Sequence, residues 1–214
     1  MQLQRLVANK LATSFVALSA IIVLVLAGPT QTRAETDEQE ARTFIEGLAE
    51  EAIGALTDPN AAREQRQQRA RHLLNDNFAL QTIGRFVLGR YWRVATPQEQ
   101  KEYLDLFEQL IIVTYVDRFS QYSGEKLTVT GSSKTGGSGD VIVFSEISRP
   151  GGGPVEVGWR VRSRDGKMQI VDVYVERVSM GITQRDEFAS IIQNNGGKVS
   201  SLLDEMRKRI AISS

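Results

Sequence analysis

At Gly124 the chain changes period, and that change restricts the fold more than any other feature of the sequence. Before it, apolar residues recur every three or four positions: Ala41, Phe44, Ile45, Leu48, Ala49, Ala52, Ile53 and Leu56 make one face of a helix that Asp58-Pro59 ends. After it, Val155, Val157, Trp159 and Val161 alternate with Glu156, Gly158, Arg160 and Arg162, which gives a strand one apolar and one polar face. A helical period cannot present one face from a strand, nor a strand period from a helix, so the two parts belong to different layers. Four runs are β-rich: Leu127 to Thr130, Val141 to Ile147, Val155 to Arg162 and Met168 to Glu176. The turn clusters "GSSKTGGSGD", "RPGGGP" and "SRDGK" separate them, and Asp165-Gly166 in the last is a tight-hairpin signal. Helical spacing returns over about Thr183 to Asn194 and Lys198 to Ile210, around Gly196-Gly197. The expected fold is a single α+β domain, with N-terminal and C-terminal helices packed on an antiparallel sheet of about four strands.

Within the helical half, Thr36 to Gln39 resembles a capping box at the start of the first helix. A second helix, about Asn60 to Asn75, is polar until Leu73 and Leu74 and is expected on the surface. A third, about Phe78 to Leu88, has Gly89 placed to end it. The best-specified start follows, with Thr96 as N-cap, Pro97 at the first helical position and Glu99 three residues after the cap. From there to about Tyr122, the apolar residues from Tyr103 to Phe119 cover an arc wider than one core-facing stripe needs. Such a helix is either central or has one side facing a cavity.

Residues 1–34 have the layout of a cleaved secretory signal: Arg5 and Lys10 with no acid, a nearly unbroken apolar run from Leu11 to Ala27, then Gly28-Pro29 and Thr32-Arg33-Ala34. The rival reading is an uncleaved anchor, for which this run is at the short limit. The mature domain is thus expected over residues 35–214, exported to a periplasm, with hydrophobic burial alone to stabilise it because the chain has no cysteine. Removing the segment leaves 23 basic against 26 acidic residues, which does not suit a partner of nucleic acid.

One histidine, His72, and no cysteine argue against a metal site or Cys/His catalysis. Gly151 to Gly153 leads into a strand, not a helix, so it is no phosphate cradle, and no nucleophile–base pair can be assembled. The chain is expected not to be an enzyme and to need no cofactor. One stretch departs from bland charge patterning: Arg63, Arg66, Arg69, Arg71, Arg85, Arg90 and Arg93 stand against only Glu64 and Asp76. It reads either as a solvated surface or as a docking patch, carried by Arg63, Arg66, Arg85, Arg90 and Arg93, for an acidic partner or anionic lipid head groups.

"VLGRYWRVATPQEQKEYLDLFEQLIIVTYVDRFSQYSG", Val87 to Gly124, closely resembles the signature of the periplasmic phospholipid-shuttle family MlaC, also called the toluene-tolerance family. "VDVYVERVSMGITQRDEF", Val171 to Phe188, resembles a second block of the same family, which usually has Gly at the position of Arg177. The resemblance implies a monomeric carrier that buries the acyl chains of a phospholipid between helices and sheet, as cargo and not as cofactor. It implies shuttling between an outer-membrane lipoprotein–porin complex and an inner-membrane ABC transporter with an MCE-domain protein, in maintenance of outer-membrane lipid asymmetry. One branch of the family is associated with hopanoid biosynthesis, and the residues do not separate the two cargoes. On this reading Leu106, Leu110, Val113, Val143, Val157, Trp159, Val161 and Val173 line the cavity. The remaining alternative is an interaction protein that kept the fold and lost the cavity.

Overall fold

The structure is a computed structural model that describes residues 30–58, 60–119, 124–148 and 151–213. Most of the expected secretory signal lies outside the described residues. The chain divides into two compact units, Met1–Glu35 and Thr36–Ser214, and the second carries the α+β fold. Helices α1 (Thr30–Leu56), α2 (Arg63–Asn77), α3 (Leu80–Leu88) and α4 (Pro97–Phe119) precede the strands, with a 3₁₀ turn at Gly89–Arg93. Strands β1 (Leu127–Lys134), β2 (Val141–Ile147), β3 (Val155–Arg164), β4 (Lys167–Val175) and β5 (Val178–Ser179) follow, then α5 (Met180–Asn194) and α6 (Val199–Ser213). The five strands form one antiparallel meander in chain order. The fifth, only two residues long, raises the expected count of about four.

Local chemistry accounts for most boundaries. The amide of Thr96 donates to the Glu99 carboxylate at 2.8 Å and the amide of Glu99 to the Thr96 hydroxyl at 3.2 Å, so the capping box at α4 is closed both ways. Gly89 ends α3 at φ +58°. Two expectations need correction. Thr36 is not the start of α1, because Thr30 to Glu35 contains no proline or glycine and the helix runs back to Thr30. The cluster "GSSKTGGSGD" is not all turn: Gly131 to Lys134 continue β1 beyond a bulge, since pairing with Val141 to Phe144 of β2 overrides their turn preference.

Two cores hold the layers. On the sheet, Ala41 and Ile45 of α1 cover Val141, Val143, Val161 and Ile170. Among α3 to α6, Tyr103, Phe107, Phe188, Ile192, Leu202 and Met206 are fully or almost fully buried. The Tyr103 ring stacks on Phe107 and meets Phe188 edge-on, its hydroxyl donates to the Gly84 carbonyl at 3.0 Å, and burial pushes the phenol well above the usual tyrosine range. Gly84 leaves room for Leu104, whose Cδ2 would lie 2.8 Å from a Cβ there, while the Tyr103 ring would be at an ordinary 3.6 Å. A smaller seam joins Leu56, Ala70, Leu73 and Ile112, so α2, expected on the surface, buries Ala70 and Leu73 against its neighbours.

Just before β2 a buried carboxylate ties two positions of β3 together. Asp140, 1% exposed, accepts from Arg160 Nε at 2.7 Å and from Arg162 Nε at 2.8 Å. Burial alone would raise its pKa, but the hydrogen bonds from Arg162 and Arg160 outweigh that and hold it below the usual carboxylate range. A depressed folded-state pKa contributes stability that is full above the unfolded value, about 3.9, and is lost as pH falls through the folded one. Asp140→Asn is therefore expected to cost about 2–3 kcal/mol at neutral pH, because two guanidinium groups lose their charged partner. In urea unfolding, the gap between variant and parent should narrow below about pH 4.

Candidate functional site

Strand alternation and register collect five of the eight expected lining residues on one face of the sheet. Val143, Trp159 and Val173 stand in one row across β2, β3 and β4; Val161 lies one row away beside Val141 and Ile170, and Val157 pairs with Ser145 and Val175. The Trp159 indole N–H donates to the Ser145 hydroxyl at 2.9 Å, which in turn donates to the Val157 carbonyl at 3.1 Å. The ring is thereby fixed against the sheet. Ser145, 2% exposed, orients this ring and was missed by the sequence reading; its signal was a hydroxyl at an inward position of an otherwise apolar strand.

The other three, Leu106, Leu110 and Val113, fall one turn apart on one stripe of α4. Leu106 is buried in the core of α3 to α6 and Leu110 is partly buried against it, while Val113 is buried. Among the described residues, that core and the sheet core share no buried side chain. The margin of the sheet core is only partly covered. Phe44, Leu48, Phe78, Leu127, Val129, Trp159, Met168 and Val173 all pack on it and all remain only partly buried. Described residues thus leave apolar surface standing in front of the sheet.

The five expected patch arginines separate into two groups. Arg63 and Arg66 belong to the start of α2, where Arg66 donates to the Ala61 carbonyl. Nearby, Arg69 donates to the Ala55 carbonyl at 3.0 Å, and Arg71 pairs with Glu108 of α4. Arg85, Arg90 and Arg93 are exposed at the corner of α3 and the 3₁₀ turn. Among the described residues, no group of three or more His, Cys, Asp or Glu is placed to hold a metal ion, and no helix is long and apolar enough to cross a membrane.

Arg177 occupies a position whose backbone is unusual. Glu176 and Arg177 have φ of +48° and +68° between the paired Val175 and Val178, the geometry of a two-residue hairpin that favours glycine. Arg177 gains only an exposed contact with Glu156, 3.2 Å. Arg177→Gly is expected to stabilise the protein by about 0.5–1 kcal/mol, a rise of roughly 1–4 °C in Tm, since relief of the left-handed strain exceeds the entropy glycine adds to the unfolded chain.

Helices backing an antiparallel meander define a class of small α+β domains, and a solved structure shares this fold. The fold matches a phospholipid-binding protein from Ralstonia solanacearum, solved in complex with a phospholipid, with a TM-score of 0.70, 22% identity, and coverage of 81% of this chain and 98% of that chain. The sequence model of the family described as MlaC protein matches residues 46–208, and the chain belongs to that family. Among curated relatives, the toluene tolerance protein ttg2D of Pseudomonas putida is 22% identical over 200 residues, 89% of each chain. The intermembrane phospholipid transport system binding protein MlaC of Haemophilus influenzae is 19% identical over 195 residues, covering 88% of this chain and 90% of that one.

Proposed function

We propose that this chain is a periplasmic carrier that shelters the acyl chains of a phospholipid against the apolar face of β2 to β4. The observation that carries the reading is the unclosed margin of the sheet core, where Trp159 and Val173 stand half-buried in the row led by the buried Val143. Membership of the MlaC family and a fold shared with a phospholipid-binding protein support it. Moving a diacyl lipid through water exposes two chains, and at ~0.8 kcal/mol per CH₂ two 16-carbon tails represent roughly 20–25 kcal/mol of unfavourable hydration. A soluble domain that encloses the tails removes most of that barrier without chemistry at a reacting centre, so the protein acts by binding and not as an enzyme.

Leu110, Val113, Trp159 and Val173 are the lining residues on which this reading rests most, with Leu106, Val143, Val157 and Val161 forming the wall behind them. Residues 1–34 serve as the export signal. The partners are an inner-membrane ABC transporter with an MCE-domain protein and an outer-membrane lipoprotein–porin complex. Mass spectrometry of lipid extracted from protein purified out of a membrane-bearing host tests the proposal. A stoichiometric glycerophospholipid is the expected result, and a hopanoid would change the cargo within the same fold. Protein that carries no lipid and takes none up from vesicles would overturn the carrier reading.

A further inference from the structure

Many arginines of this protein meet a carboxylate. Arg69 meets Asp58, Arg71 meets Glu108, Arg160 and Arg162 meet Asp140, Arg207 meets Glu102, and Arg209 meets Glu187. At the corner made by α3, the 3₁₀ turn and α5 the pattern reverses. Arg85, Arg90, Arg93 and Arg185 make no ion pair with any described residue. Arg185 belongs to α5, remote in sequence, yet its Nε lies 3.0 Å from where a Cβ on Gly89 would be, which brings it beside the other three. Arg90 and Arg93, three apart in a 3₁₀ turn, project on the same side. Asp186, next to Arg185 in sequence, makes no ion pair with it, and Glu187 is engaged by Arg209.

Three of these cations rest on rings instead. The guanidinium carbon of Arg85 lies 5.1 Å from the Trp92 ring centre, that of Arg90 4.9 Å from Tyr91, and that of Arg185 5.4 Å from Phe86. Stacking places the guanidinium plane on a ring face and leaves N–H edges directed away from the ring, able to take a phosphate. Only Arg90 commits one donor, to the Tyr91 hydroxyl at 2.9 Å. Between the cations stand exposed apolar side chains: Phe86 is 43% exposed, Ile182 51% and Val94 70%. The whole chain carries equal numbers of acidic and basic residues, so this local excess is not a by-product of a basic protein.

We propose that this corner, with Arg85, Arg90, Arg93 and Arg185 set among Phe86, Val94 and Ile182, docks on the surface of an anionic phospholipid bilayer. Phosphates and the upper acyl boundary occupy one thin zone of a membrane, so cations interleaved with apolar side chains match both at once. An acidic protein surface would supply carboxylates without the apolar layer beneath them. The proposal deepens the carrier reading and rests on it for its purpose, which is to bring the open sheet face to the lipid source.

The test is co-sedimentation of the signal-free chain with vesicles of phosphatidylcholine containing or lacking about a third of phosphatidylglycerol, at low and high salt, beside a lipid analysis of the same preparation. Binding is expected only to the anionic vesicles and is expected to fall with salt. Each Arg→Gln change among the four should lower vesicle affinity roughly fivefold, and the four together several hundredfold. Circular dichroism and the unfolding midpoint check that each variant is folded, and Val94→Ser, at a largely exposed site, gives a second variant that should weaken anionic-vesicle binding severalfold without touching charge. Equal binding to both vesicle types, or a quadruple variant that binds like the parent, overturns the proposal. A lipid-loaded parent that ignores both vesicles also overturns it, leaves the carrier reading standing and gives the corner to an acidic protein. Vesicle binding by a chain that carries and accepts no lipid supports docking and rejects the carrier.

Discussion

Replacing Val173 or Leu110 with tryptophan is expected to leave the protein folded and free of phospholipid. Both positions are half-buried, Val173 on the sheet core and Leu110 on the core of α3 to α6, so an indole has room to turn outward without displacing a fully packed neighbour. The opposite holds at Val143, which is completely buried; a tryptophan there would unfold the sheet core and report nothing about cargo. The added ring takes the room of about three methylenes, and at ~0.8 kcal/mol each that lowers lipid affinity about fiftyfold. Lipid phosphorus per mole of purified protein measures the loss. Full loading in both variants would show that neither stripe meets the cargo.

Tyr103→Ala is expected to cost about 4 kcal/mol, enough to bring a domain of ordinary stability close to unfolding. The side chain has no exposed surface, packs against Phe107 and Phe188, and reaches the Gly84 carbonyl. Removing it opens a cavity where α3, α4 and α5 meet, and helices held at this spacing cannot collapse into the space. Tyr103→Phe keeps the ring and removes one hydrogen bond, so about 1 kcal/mol should be lost. Urea unfolding of lipid-free protein separates the two, because bound cargo would stabilise each variant by a different amount. Similar midpoints for the two variants would mean that the hydroxyl, and not the ring, supports this junction.

Much of the fold was legible because its signals are local. The capping box of Thr96 and Glu99 closes as its spacing requires, and Asp165-Gly166 turns β3 into β4 with Asp165 at φ +53°. Other boundaries were hidden because a distant partner decides them. Gly131 to Lys134 are strand only because β2 offers edge groups to pair with. The two-residue β5 exists because the Glu176-Arg177 turn folds Val178 onto Val175. Arg177, the second of these positions, has φ +68°, a conformation that favours glycine.

The candidate site divides the same way. Alternation along β3 put Val157, Trp159 and Val161 on one face, and the parity of β2 and β4 added Val143 and Val173 to it. On α4 the apolar arc was too wide to tell which residues turn to which core, since a helix surrounded by apolar neighbours carries no stripe to read. Among the arginines, neighbours in sequence had different fates, and Arg185 joined a group some ninety residues earlier in the chain. Sequence by itself determined the order of the main elements, the cap of α4, the Asp165-Gly166 turn and the two faces of β3, because these follow from residues within one or two turns of each other. Only the tertiary structure decided which apolar side chains stay half-open before the sheet and which cations lack a carboxylate, because burial and pairing depend on what folds against them.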